Sequence, residues 1–219
     1  MRTLRTLAVA FGLAVATLPF AAATPQAAVS IGISVNFAPP PLPVYTQPAI
    51  PGPGYLWVPG YWAWDGDVGD YYWVPGYWTR PPRVGLLWTP GYWGWNNGVY
   101  VFNEGYWGSR VGFYGGVAYG FGYTGSGYEG GYWRGSSFYY NRSVTNVSIN
   151  ITNVYNRPVV VAPANRVSFN GGAGGVVARP TAVQIAAARQ RVAPTPVQAA
   201  HVRQAAGNQA LRAKANHGT

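Results

Sequence analysis

Pro-Gly-Tyr-Trp occurs three times between Gly54 and Trp93, in the stretch GYLWVPGYWAWDGDVGDYYWVPGYWTRPPRVGLLWTPGYW. No other feature of the 219 residues restricts the fold as strongly. The unit reads as Tyr-Trp-x-Trp, a loop, then a short aromatic or apolar strand closing on Pro-Gly. Tyr61-Trp62-Ala63-Trp64 is followed by DGDVGD and Tyr71-Tyr72-Trp73-Val74. Tyr77-Trp78-Thr79-Arg80 is followed by PPRVG and Leu86-Leu87-Trp88-Thr89. Tyr92-Trp93-Gly94-Trp95 is followed by Asn96-Asn97-Gly98 and Val99-Tyr100-Val101-Phe102. Starts at 61, 77, 92 and 106 lie 16, 15 and 14 residues apart, which makes the unit a hairpin-sized repeat. Gly131-Tyr132-Trp133 is a worn later copy.

Side chains alternate along a strand, so Trp62 and Trp64 point to one face and Tyr61 and Ala63 to the other, and Tyr71 and Trp73 likewise share a face. Asn97-Gly98 supplies the positive φ values of a tight hairpin, and Asp65 to Asp70 forms a longer polar tip. The Pro-Gly pairs suit a type II turn, whose twist is wrong for a two-residue hairpin, so they read as corners or kinks between hairpins. Short strands bury little with small side chains, whereas one Trp removes about 150 to 250 Å² from water. The repeat therefore has a packing explanation that needs no ligand.

The flanks differ in chemistry. MRTLRTLAVAFGLAVATLPFAAA carries two arginines, an apolar run from Leu7 to Phe20 and a small-residue Ala21-Ala22-Ala23 site, which is the pattern of a secretory signal peptide over 1–23. No later run is long and apolar enough to suggest a membrane helix. With no cysteine there is no disulfide framework, thiolate metal site or acylated lipobox. VSIGISVNF, residues 29–37, alternates like a half-buried strand, and eight prolines between residues 25 and 53 make the rest of 24–54 a stiff, extended spacer. Val147, Ile149 and Ile151 alternate with polar residues, placing a further strand at 144–155 within a 141–163 extension. Beyond NGGAGG, Thr181 with Gln184 and Thr195 with Gln198 open two Ala-rich helices whose weak apolar faces leave the 164–219 tail partly disordered. All five acids precede residue 134, whereas ten basic residues and no acid follow from Arg134 onward. Such a tail favours anionic surfaces or solubility. The expected fold is mainly β, a meander of short aromatic-rich hairpin repeats over 55–140 with a Pro-rich N-terminal segment and a helical C-terminal tail.

Candidate chemistry is sparse. Gly120-Phe-Gly-Tyr-Thr-Gly125 fits a dinucleotide fingerprint only in letters, because SGYEGGYW cannot open a helix behind it. Asp65, Asp67 and Asp70 are potential oxygen ligands for a metal, yet Gly69 and Gly76 stand where an EF-hand needs ligands. Two histidines in the tail and no cysteine leave nucleophilic triads without a base, and Glu104 and Glu129 do not form a glycosidase pair. Three Asn-x-Ser/Thr sequons carry no weight by themselves. Trp62, Trp64, Trp78, Trp93, Trp95 and Trp107 are the candidate binding residues, since exposed indoles stack on sugars or cage ammonium groups. No cofactor is expected.

WVPGYWAWDG, WVPGYW and WTPGYWGWNNG, with FNEGYWG, VGFYGGVAYGFGYTGSGYEGGYW, FYYNRSV and GGVVARPT, resemble the bacterial YXWGXW-repeat proteins over residues of about 55 to 181. The resemblance implies an exported envelope or extracellular protein, in the periplasm, at the outer membrane or outside, with no assigned activity. Thr79-Arg80 in the second copy departs from the Gly-Trp of the third. The expectation is therefore a non-enzymatic structural or adhesion-type protein meeting envelope glycan or an anionic surface, with no nucleic acid partner. The alternatives are a carbohydrate-binding module and a metal-dependent hydrolase at the loop acids. Oligomeric state is not legible, although an open meander leaves two edges.

Overall fold

The computed structural model describes residues 33–148, 150–160 and 166–218. The expected signal peptide and the first four residues of the expected strand at 29–37 lie outside them. The strands are β1 (Ser34–Val35), β2 (Leu56–Val58), β3 (Tyr61–Asp65), β4 (Asp70–Val74), β5 (Tyr77–Thr79), β6 (Leu87–Thr89), β7 (Tyr92–Asn96), β8 (Val99–Asn103), β9 (Tyr106–Gly108), β10 (Gly131–Arg134), β11 (Ser137–Asn141), β12 (Val154–Tyr155) and β13 (Phe169–Asn170). Two helices come next, α1 (Ala182–Arg189) and α2 (Pro196–Ala206), then short turns of helix.

The two tips form as their sequences dictate. Asn97 and Gly98 both take positive φ, 46° and 97°, the two-residue turn whose twist matches the strands it joins, β7 and β8. At the other tip the Asp65 carboxylate accepts from the backbone N–H groups of Asp67 (3.1 Å) and Val68 (3.2 Å) and folds the loop between β3 and β4.

Both hairpins continue past their Pro-Gly pairs. In the first, Val58 opposes Tyr77 and Tyr61 opposes Val74, so Pro59-Gly60 faces Pro75-Gly76 with the register unbroken. In the second, Thr89 opposes Tyr106 and Tyr92 opposes Asn103, so Pro90-Gly91 faces Glu104-Gly105. The pairs are thus lapses within two long hairpins, 56–79 and 87–108, and not corners between shorter ones. Proline cannot donate to a ladder, and the lapses on the two strands coincide, so the register survives. Two expectations change with this. β5 and β6 do not pair with each other, so the PPRVG stretch connects hairpins and is not a tip. The 14-to-16-residue sequence unit is half of a structural unit.

None of the four glycines in the lapses has a positive φ, which removes the type II turn. They are required by close approach. A Cβ on Gly60 would stand 2.2 Å from Trp73 Cζ2, on Gly76 2.4 Å from Trp57 Cζ2, on Gly91 2.8 Å from Phe102 Cζ and on Gly105 2.4 Å from Trp88 Cζ2. Each glycine is the notch that seats an aromatic ring from the opposite strand. Each of those rings also meets the cross-strand partner edge-on or tilted: Trp57 with Trp78 at 5.1 Å, Trp62 with Trp73 at 5.4 Å, Trp88 with Trp107 at 5.2 Å and Trp93 with Phe102 at 5.2 Å.

The glycine- and tyrosine-rich stretch after β9 fills the space between the hairpins. Tyr114, Val117, Tyr119 and Tyr123 are buried, and the Tyr123 hydroxyl is shared between the carbonyls of Trp88 (3.0 Å) and Trp57 (3.3 Å), one from each hairpin. Tyr119 donates to the Gly91 carbonyl at 2.6 Å. β10 and β11 form a third hairpin, β12 adds to β11 in parallel, and β1 and β13 flank β8 and β7. Of the expected strand at 144–155, Val154–Tyr155 alone pairs among the described residues; a turn at 142–144 precedes it. The proline-rich segment packs instead of spacing: Trp62 donates to the Pro41 carbonyl (3.0 Å), Trp78 to that of Pro48 (2.8 Å), and Leu42 and Ile50 join the core.

Both tail helices start at the expected capping boxes, Thr181 with Gln184 and Thr195 with Gln198. α2 docks on β4 through the buried Ala205, and its buried Gln198 accepts from Trp107 of β9, a polar anchor that an apolar-stripe search does not register. Among the described residues no helix is long and apolar enough to cross a membrane.

Candidate binding site

The six tryptophans singled out from the sequence do not form one open face. Trp62, Trp93 and Trp107 are buried, and their indole N–H groups are used internally, donating to the carbonyls of Pro41 (3.0 Å) and Trp62 (2.7 Å) and to Gln198 Oε1 (2.6 Å). Trp78 is half-buried against Trp57, and Trp64 is half-buried edge-on to Phe37 (5.3 Å) and Tyr71 (5.0 Å). Trp95, tilted against Tyr100 at 4.7 Å, is 41% exposed.

Two of the three loop aspartates are held by the tail, and the three are not gathered around a common point. Asp65 Oδ2 pairs with Arg212 at 2.8 Å, Asp70 accepts from the Lys214 backbone N–H at 3.2 Å, and Asp67 projects from the tip. The Arg212 hydrogen bond, helped by the Val68 and Asp67 N–H groups, holds the Asp65 carboxyl below its usual range against the opposing pull of burial. Among the described residues no three His, Asp or Glu side chains are placed to share a metal. His201 Nε2 donates to the Pro75 carbonyl (2.8 Å) and the ring lies 3.9 Å from that of Tyr77. Burial raises the Tyr77 hydroxyl to about 12. These partners are more than a hundred residues apart in sequence, and no local pattern marks them.

What the fold does create is a cavity of about 430 Å³ where the Pro-Gly lapses of the two hairpins meet under α2. Its aromatic lining comes from Tyr61, Trp64, Tyr72, Tyr77, Trp88 and Phe102, with Tyr61 and Phe102 stacked at 5.4 Å and 13°. Burial raises the Tyr61 hydroxyl strongly, with Tyr72, Tyr77 and Glu104 adding to the effect. Glu104 is exposed and belongs to the same lining, at the position that proline holds in the other three lapses. Gln198 forms part of the helical wall. Its Oε1 accepts from Trp107 Nε1 (2.6 Å) and Thr195 N–H (2.9 Å), while its buried Nε2 faces the Tyr77 hydroxyl without a well-formed hydrogen bond. An apolar cavity with a few convergent polar groups is built for binding. Sequence reasoning named Trp64 among its residues but missed Tyr61, Tyr77 and Gln198, because nothing local predicts that α2 closes over the hairpins.

A second, more open groove lies between Tyr45, Phe121 and the turn at 142–146. It combines two rings 5.2 Å apart with Arg142, Ser143, Thr145 and the buried Gln47, whose Nε2 has no partner.

The WXXGXW repeat family matches in two copies, at residues 52–79 and 83–107. The copies fall on the two long hairpins, and each holds two passages of the motif: Trp57 to Trp62 and Trp73 to Trp78 in the first, Trp88 to Trp93 and Phe102 to Trp107 in the second, the last with Phe in the leading place. No curated protein and no solved structure matches the chain. Residues 52–107 thus carry two WXXGXW repeats, each folded as a glycine-notched aromatic hairpin.

Proposed function

We propose that this repeat protein is an exported, non-catalytic component of the cell envelope with a structural or adhesion-type role. The observation that carries the reading is the use of the repeat aromatics: the closing tryptophans Trp62, Trp78, Trp93 and Trp107 all spend their indole N–H groups on other segments of the same chain. The repeat builds a scaffold, and the exterior carries the function. That exterior includes exposed Arg179, Arg189, Arg191 and Arg203 of the acid-free tail, suited to anionic headgroups or polysaccharide. The sequence leader supplies the export expectation. The test is fractionation of cells expressing the full chain, followed by a salt wash of the envelope fraction. Recovery in the envelope, with release as ionic strength rises, is the expected result; retention in the cytoplasm sinks it.

A second reading, a glycan-binding module, rests on the groove at Tyr45 and Phe121, where ring faces meet a guanidinium, hydroxyls and an unpartnered amide. Soluble peptidoglycan fragments that bind the wild-type chain and fail to bind a Phe121→Ala chain would move the function to that groove.

A further inference from the structure

The cavity beneath α2 has a charge balance opposite to that of the chain. The protein carries a formal net charge of +10, yet among the described residues the cavity lining contains no Lys, Arg or His and one carboxylate, Glu104. Among the same residues Glu104 has no ion pair, whereas Asp65 is matched to Arg212 and Glu129 to Arg157. Arg212, which stands 5.8 Å over the ring of the lining residue Tyr72, is already committed to Asp65 at 2.8 Å. Around the cavity are five further aromatic rings, Tyr61, Trp64, Tyr77, Trp88 and Phe102. Ring faces carry negative potential and attract cations, most strongly those too weakly hydrated to resist entering an apolar site.

We propose that this cavity binds an organic cation of the trimethylammonium type. The methylated nitrogen occupies the aromatic lining with Glu104 as its counter-charge. A primary ammonium or guanidinium would have to shed its water without enough acceptors in the lining to replace it. A carboxylate ligand would meet Glu104. The site needs both hairpins and α2, since Tyr61 and Tyr77 come from the first hairpin, Trp88 and Phe102 from the second, and Gln198 from the helix. The inference is independent of where the protein resides.

The test uses the full chain and the fluorescence of its tryptophans, two of which line the cavity. Acetylcholine serves as the probe, and 3,3-dimethylbutyl acetate, its uncharged carbon isostere, as the comparison. Both keep the ester oxygens, so the charge is the one difference. Saturable binding of the cation, at least about tenfold tighter than the isostere, is expected. Glu104→Gln should weaken the cation by about three- to tenfold and leave the isostere unchanged. Ala199→Phe, which adds a ring at the helical rim of the cavity, should abolish binding while far-UV circular dichroism stays the same. Phosphatidylcholine vesicles form a further arm: a response equal to that of the free cation assigns a lipid headgroup as the source, and no response assigns a free small molecule. The proposal is overturned if the isostere binds as well as the cation, which would make the cavity merely apolar, if neither binds, or if Glu104→Gln changes nothing.

Discussion

Gly60→Ala is the sharpest single probe of the hairpin architecture. The new Cβ would stand 2.2 Å from Trp73 Cζ2 and 2.9 Å from Cε2 and Cη2. Ordinary carbon contact begins near 3.5 Å, so the indole must retreat by about 1.3 Å. It has nowhere free to go, being packed edge-on to Trp62 at 5.4 Å and to Tyr45 at 5.7 Å. Overpacking costs about 1–3 kcal/mol, and each of the two disturbed ring pairs adds about 0.5–1.5 kcal/mol, which gives about 2–6 kcal/mol in all. Gly60 does not have a positive φ, so alanine meets the clash alone and no backbone strain. The assay is urea unfolding followed by circular dichroism for the wild type, Gly60→Ala, Trp73→Leu and the double variant. Leucine vacates the notch, so alanine should cost less than about 1 kcal/mol in that background, leaving a coupling of about 2 kcal/mol. The reasoning fails if Gly60→Ala costs under about 0.5 kcal/mol, or costs the same with tryptophan and with leucine opposite.

Three further outcomes rest on the same geometry. The folded Asp65 carboxyl sits below its free value of 3.8, so its link to Arg212 adds stability above that pH and loses it as the pH falls through the folded value; thermal melts of wild type and Asp65→Asn should differ by a constant amount from about pH 5 to 8 and converge in stronger acid, and a gap that widens on acidification would refute this. Tyr123→Phe strips the shared hydroxyl from the buried carbonyls of Trp57 and Trp88 and should cost about 1–3 kcal/mol in chemical denaturation, a change under about 0.5 kcal/mol counting against the bridge. Gly98→Ala meets no atom within 4 Å but must hold a φ of 97°, so it should cost about 1–2 kcal/mol through strain alone and leave the Trp93 and Phe102 contacts intact by near-ultraviolet circular dichroism.

The sequence disclosed what is local. Asn97-Gly98 marks a hairpin tip because only a few residues accept two positive φ values, and both helices begin where Thr and Gln stand three apart. Pairing beyond the tips was misread for a physical reason. Pro-Gly is a turn signal in isolation, and only the facing of one such pair by another turns it into an in-register lapse; that facing is a long-range fact. The packing of Pro41 and Pro48 against Trp62 and Trp78 was hidden in the same way, since proline carbonyls make good acceptors whatever the segment looks like in sequence. The site was less legible still. Trp64 was named from its spacing, but Glu104, Gln198 and the rings around them meet only because α2 returns across about a hundred residues of chain to close the cavity.

The spacing of the motif itself explains why a single exposed tryptophan face was the wrong picture. The two tryptophans of W-x-x-G-x-W stand five positions apart, an odd offset, so in an unbroken register they point to opposite faces of the ribbon. Trp57 pairs with Trp78 on one face, and the glycine under Trp57 is Gly76, two residues before Trp78. Trp62 pairs with Trp73 on the other face, and the glycine under Trp73 is Gly60, two residues before Trp62. Each strand therefore lends its glycine and closing tryptophan to one face and its leading tryptophan to the other, and the second hairpin repeats the scheme with Trp88, Gly105 and Trp107 against Phe102, Gly91 and Trp93. A ribbon that is aromatic on both sides cannot lie on a core like an ordinary half-buried sheet. It has to be enclosed, and the chain encloses it with the proline-rich segment, the tyrosine-rich coil and α2. Removing residues 196–219 should then expose aromatic surface and open the cavity at once, so the scaffold and the proposed ligand site depend on the same closure.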